Sequence, residues 1–136
     1  MFSRSITRRA FSAAAPQHSR VAVIGAGCGG QSFAAQLART GKVDASEITI
    51  YDPKTLHHYQ PAYTMVGGGV IGDAATAKAT KEKDYIIRPQ EELLAHTPGL
   101  NWNQNAVTSF DPDNNTISLS DGSTATYDVL VVNPGL

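Results

Sequence analysis

The chain has 136 residues, 41% hydrophobic and 17% charged, with a formal net charge of −1. That length suits one domain of ordinary size, and the near-neutral balance gives no electrostatic reason to expect nucleic acid. Its single cysteine, Cys28, excludes an internal disulfide or a multi-cysteine metal site, and no apolar run approaches the roughly 20 residues that span a bilayer.

The opening stretch, "MFSRSITRRAFSAAAPQHS", carries Arg4, Arg8 and Arg9 and no acid; the first acid of the chain is Asp44. On a helix, Phe2, Ile6 and Ala10 share a face from which Arg4 and Arg8 turn away. This cationic, amphipathic, serine-rich pattern lacks the apolar core of a secretory signal, so residues 1–19 read as a mitochondrial transit peptide. The plainer alternative is a disordered arm. "RAFSA" resembles a matrix-processing site, with the cut between Phe11 and Ser12. The folded part, residues 20–136, begins at Arg20.

"RVAVIGAGCGGQSFAAQLARTGK" starts as a buried strand, Val21 to Ile24, and passes through glycines into a helix. Phe33, Ala34, Leu37 and Ala38 form its apolar stripe and Gly41 its stop. "EITIYD" supplies the next strand, Ile48 to Asp52, completing a parallel strand–helix–strand unit. From Pro53 to Lys83 the periodicity dissolves into a loop, with a helical turn near Ala62 to Val66. "RPQEELLAHTPG" reads as a short helix opened by Pro89 and closed by Pro98-Gly99.

"NWNQNAVTSF", "TISLS" and "TATYD" form a three-stranded antiparallel meander, with hairpin signals "DPDNN" and "DG" between them. The sequon Asn114-Asn115-Thr116 reads as turn chemistry. In "YDVLVVNPGL", the branched run Val129 to Val132 reads as a strand buried on both faces. Such a strand needs covering layers, so the sequence reads as the N-terminal portion of a longer protein. The expected fold is α/β: a Rossmann-like domain with a parallel sheet and a meander, incomplete at its C-terminus.

The chemistry concentrates in "GAGCGG", where Gly25, Gly27 and Gly30 give G-x-G-x-x-G at a strand-to-helix junction. Gly25 permits the tight turn, Gly27 admits a pyrophosphate to the backbone, and Gly30 lets helix and strand pack closely. The helix N-terminus then offers the N–H groups of Cys28 and Gly29 to phosphates. Asp52, at the end of the next strand, is placed to hold ribose hydroxyls and disfavours a 2′-phosphate. The fingerprint alone leaves FAD and NAD open, beside a tight turn that binds nothing.

A meander followed by a buried strand ending in a glycine turn resembles the flavoproteins of the glutathione reductase type, whose N-terminal fingerprint binds FAD. The last strand of that family ends in Ala-Thr-Gly; here it ends in Asn133-Pro134-Gly135. The stretch "DPKTLHHYQPAYTMVGGG", Asp52 to Gly69, resembles the mitochondrial sulfide:quinone oxidoreductases, with "HYQP" its most specific element. The likeness extends from Val21 to Leu136. It implies FAD held at its phosphates by Gly25, Gly27, Cys28, Gly29 and Gly30, and at its ribose by Asp52. It also implies Gln60 near the flavin and the Val107 backbone at the adenine.

The activity so implied is oxidation of hydrogen sulfide to sulfane sulfur by way of a cysteine disulfide beside the flavin. Glutathione or sulfite accepts the sulfur, and ubiquinone accepts the electrons at the inner mitochondrial membrane, with which the complete enzyme associates peripherally. The catalytic cysteines are not in this sequence, so these residues alone are expected to be inactive. A type II NADH:quinone reductase or other FAD-dependent reductase stays open, as does a truncated, non-catalytic dinucleotide-binding protein. Plainer readings also stand for single residues. His57 and His58 read as solvated loop histidines, Tyr59 and Gln60 as loop packing, Val107 as a core residue, and the Cys28 thiol as structural.

Overall fold

The fold is built around β1 (Gln17–Ile24), whose Val21 and Val23 enter one core cluster and Ala22 and Ile24 another. A strand apolar on both faces belongs in the interior of a sheet covered on both sides. The computed structural model describes residues 17–69 and 86–135. Residues 1–16, within the stretch expected to be a transit peptide, residues 70–85, within the stretch expected to be a loop, and Leu136 lie outside the described residues. β1 starts at Gln17, ahead of the Arg20 boundary expected from sequence. Ser19 is buried there, and its hydroxyl donates to Thr49 Oγ1 at 2.7 Å.

α1 (Cys28–Arg39) buries Gly30 and Ala34, with Leu37 and Ala38 half-buried beyond them. Phe33, expected in this stripe, lies off its line and is 38% exposed. Gly41 ends the helix as expected, at φ +67, donating its N–H to the Ala38 carbonyl at 3.1 Å. A 3₁₀ turn over Ala45–Glu47, capped by Asp44, then delivers the chain into β2 (Ile48–Tyr51), parallel to β1. Tyr51 is buried, and this desolvation pushes its phenol ionisation up while hydrogen bonds with Ser19 and Thr49 oppose the shift.

The remaining elements are β3 (Leu56–His58), α2 (Gln60–Gly67), β4 (Ile87–Pro89), α3 (Gln90–Leu94), β5 (Asn101–Asn103), β6 (Val107–Asp111), β7 (Thr116–Leu119) and β8 (Thr124–Val132). One six-stranded sheet runs β5-β2-β1-β8-β7-β6, and β3 and β4 pair separately. The β5-β2-β1-β8 pairs are parallel and the β8-β7-β6 pairs antiparallel. This is the expected Rossmann-like sheet with a meander at one edge. No helix among the described residues is long and apolar enough to cross a membrane.

Two strand assignments change. "NWNQNAVTSF" is two strands: β5 pairs in parallel with β2 at one edge of the sheet, and only β6 belongs to the meander. The Asn103 side chain accepts the Asn105 N–H at 3.0 Å, and this local turn interrupts the extended run. "TATYD" and "VLVV" are one strand, β8, antiparallel to β7 in its first half and parallel to β1 along most of its length. Its apolar end is not buried on both faces. Leu130 and Val131 pack against the two cores, but Val129 and Val132 are 50% and 58% exposed.

Candidate dinucleotide-binding site

The turn after β1 is pinned between strand ends. Gly25 donates its N–H to the Tyr51 carbonyl, and Asn133 donates its N–H to the Ile24 carbonyl, each at 2.9 Å. Gly25 has φ +98, and a side chain there would run into the Asn133 carbonyl. A methyl at Gly30 would collide with the Gly25 carbonyl, so helix–strand packing requires this glycine too.

Gly27 has a different reason to be glycine. Its φ of −69 suits any residue, and an added Cβ would meet nothing within 4 Å. The space it leaves open belongs to a cleft of about 410 Å³, bordered there by Ala26, Gly27 and Cys28. At this cleft α1 begins with no side-chain cap and no acid in its first turn. The first-turn N–H groups and the positive end of the helix dipole are therefore left uncompensated. A missing Cβ beside an uncapped helix N-terminus fits the pyrophosphate of a dinucleotide.

Asp52 stands on the cleft wall at the end of β2. One carboxylate oxygen accepts the Ala26 N–H at 2.7 Å and the other the Lys54 N–H at 2.8 Å. From behind, the Trp102 indole N–H donates to the Asp52 carbonyl at 3.0 Å, and the Asp52 N–H donates to the Asn103 carbonyl at 3.1 Å. β5 thus holds the acid in place. Each carboxylate oxygen retains lone-pair capacity for a ribose hydroxyl, whereas a 2′-phosphate would meet its negative charge.

The same cleft is lined by residues in and around "HYQP": His57, His58, Gln60, Pro61 and Tyr63. Gln60 opens α2, with Pro61 in the first turn where a missing N–H costs nothing. His57 corrects the solvated reading, being only 8% exposed. Its ring lies against Gln31 and the Ala26 carbonyl, with Nε2 3.7 Å from Cys28 Sγ. Its direction on β3 places it inward, which a two-histidine loop sequence does not disclose. His58 is exposed, with Nδ1 2.6 Å from the Tyr63 hydroxyl.

The cleft therefore gathers Gly27, Cys28, Asp52 and Gln60, while Gly25, Gly29 and Gly30 shape the turn and helix behind it. Val107 stands apart: it is half-buried on β6 and packs against the core that contains Ala22 and Tyr51. Sequence reasoning missed Lys54, Gln90 and Asn133, which also line the cleft. A departure from Ala-Thr-Gly was the only signal for Asn133. Gln90 gave none, because its contact to Ala26 crosses 64 residues.

Residues 19–136 match the family model described as pyridine nucleotide-disulphide oxidoreductase. The mitochondrial sulfide:quinone oxidoreductase of Dictyostelium discoideum is 36% identical over 118 residues, which are 87% of this chain and 23% of that protein. Its counterpart in Mus musculus is 30% identical over 122 residues, 90% of this chain and 24% of that protein. The X-ray structure of the sulfide:quinone oxidoreductase from Aquifex aeolicus matches with a TM-score of 0.64 at 28% identity, covering 88% of this chain and 24% of that one. The chain spans about a quarter of the length of these relatives. With a family match over residues 19–136, and the acid Asp52 lining the same cleft as the open Gly27, the chain belongs to the pyridine nucleotide-disulphide oxidoreductase family, as an FAD-binding portion similar to that of the sulfide:quinone oxidoreductases.

Proposed function

We propose that this chain is the FAD-binding portion of a sulfide:quinone oxidoreductase, which oxidises hydrogen sulfide to sulfane sulfur and reduces ubiquinone. The observation that carries this reading is that one cleft is lined both by the dinucleotide fingerprint and by His58, Gln60 and Pro61 of "HYQP", the element that most specifically resembles those enzymes. The mitochondrial relatives support the same reading, together with a mitochondrial location reached through residues 1–19. Peripheral association with the inner membrane and transfer of sulfur to glutathione or sulfite belong to the complete enzyme.

Bound FAD would supply two-electron redox chemistry between a sulfur donor and a quinone. The residues here bind and orient it. The N–H groups at Cys28 and Gly29 would hold the pyrophosphate, with Gly25, Gly27 and Gly30 shaping the approach. Asp52 would accept from the ribose hydroxyls, Gln60 would serve the flavin end, and the Val107 backbone would serve the adenine. A disulfide needs two cysteines and this sequence has one, so residues 1–136 by themselves should not turn over sulfide.

The test is anaerobic reduction of the full-length holoprotein, followed by flavin absorbance. Sulfide should bleach the flavin within turnover time and decylubiquinone should restore it, while NADH leaves it oxidised. Bleaching by NADH and not by sulfide would replace this reading with an NADH:quinone reductase. The isolated 136 residues should give no sulfide-dependent quinone reduction, and activity from them would refute the inactive-portion reading.

A further inference from the structure

The Ala26 carbonyl collects more donors than a loop carbonyl requires. Gln31 Nε2, from α1, donates to it at 2.7 Å, and Gln90 Nε2, from α3, at 3.0 Å. These two amides match its two lone pairs. Gln31 Nε2 also lies 3.1 Å from His57 Nδ1. His57 Nδ1 itself lies 3.3 Å from the Ala26 carbonyl, so the imidazole closes the cluster around that oxygen.

Gln90 is only 2% exposed. A buried amide is costly unless bonded, and an apolar side chain would fill the same space without that cost. The bond it makes has a geometric consequence. The Ala26–Gly27 peptide is trans, so fixing its carbonyl turns the Gly27 N–H to the opposite side. Gly27 is the N-cap of α1, and the first-turn N–H groups follow from its orientation. The other edge of Ala26 is held as well, since its N–H donates to Asp52 at 2.7 Å.

We propose that Gln31 and Gln90 are positioning residues for cofactor binding. Their amides lock the Ala26–Gly27 peptide and hold the phosphate-binding turn in its binding geometry before the ligand arrives. This rests on the FAD reading of the cleft. Donors already in place spare the ligand the cost of ordering them, so the effect should concentrate on the phosphates.

The test uses full-length protein from which FAD has been reversibly removed, with Gln31→Met and Gln90→Met made separately. FAD affinity is read by fluorescence, ADP and adenosine are titrated as competitors, and the apoprotein melting temperature is recorded. FAD and ADP should each weaken by roughly three- to tenfold in either variant, the loss expected for one hydrogen bond. Adenosine affinity should not change, and apo Gln31→Met should melt with the wild type. Unchanged FAD and ADP affinities in both variants would overturn the lock while leaving the FAD site standing. Equal weakening of ADP and adenosine, or loss of fold in both variants, would reduce the amides to structural groups and also overturn it. Wild-type apoprotein that binds neither FAD nor ADP would remove the FAD reading and the lock together.

Discussion

Gly30, Gly27 and Gly29 are glycine for three different reasons, and each reason has its own consequence. Gly30 abuts the backbone carbonyl of Gly25. Backbone cannot step aside cheaply, so Gly30→Ala should destabilise by about 1–3 kcal/mol, read as a lower denaturation midpoint. Gly27 faces open cleft at an ordinary φ. Gly27→Ala should change apoprotein stability by less than about 1 kcal/mol, because the gain from a less free unfolded chain is offset by the poorer N-cap that alanine makes. It should nevertheless weaken FAD binding, because its methyl occupies the approach of the pyrophosphate. Thermal melts with and without FAD separate the two substitutions. Gly29 is intermediate, since a methyl there meets only the side-chain amide of Asn133. Gly29→Ala should therefore be rescued in part by Asn133→Ala, with a coupling of about 0.5–3 kcal/mol in a double-mutant cycle of melting. No coupling would mean that Asn133 moves away freely. The glycine pattern was legible because its geometry is local. The inward turn of His57 and the reach of Gln90 were not, because both depend on partners distant in sequence.

Among the elements, β5 shows why alternation misleads. "NWNQNAVTSF" keeps a strand-like pattern through Asn105, yet Asn103 folds its side chain back on the Asn105 N–H and divides the run. The three residues of β5 then join β2 and bring Trp102 behind Asp52. Removing the indole donor leaves the Asp52 carbonyl without that bond, so Trp102→Phe should cost about 1 kcal/mol of stability. It should also weaken FAD, since the acid loses its rear support. Denaturant unfolding and FAD titration of this variant check both effects, and unchanged affinity would make Trp102 a packing residue only. β8 was misread in the opposite direction. A long apolar strand was divided because "TATYD" alternates and "VLVV" does not, although one strand changes partners along its length. The hairpin turns were legible because they need residues suited to positive φ, and Asn115 and Gly122 supply them at +49 and +83.

At the scale of the whole molecule, the site follows from topology. β1 lies between β2 and β8, and the chain leaves the carboxyl ends of these parallel strands on the cleft side: Ala26 and Gly27 after β1, Asp52 after β2, Asn133 after β8. In open α/β sheets a ligand binds outside the strand ends where neighbouring connections diverge, and this cleft occupies that position. The cofactor would therefore bridge three strand ends that the protein otherwise ties by the backbone bonds Gly25 to Tyr51 and Asn133 to Ile24 and by the Ala26 N–H on the Asp52 carboxylate. A ligand that binds only the native state stabilises it by mass action, about 2.7 kcal/mol at a free concentration 100 times its dissociation constant. Full-length apoprotein should gain that much at the corresponding FAD concentration, measured by denaturant unfolding across a titration. ADP carries the groups that meet Asp52 and the α1 N-terminus, so it should produce the same dependence at its own 100-fold excess. Gly27→Ala should move both curves to higher ligand concentration without changing their form. FAD stabilisation with none from ADP would place the binding energy at the flavin end and remove the assigned role of Asp52 and the first turn of α1.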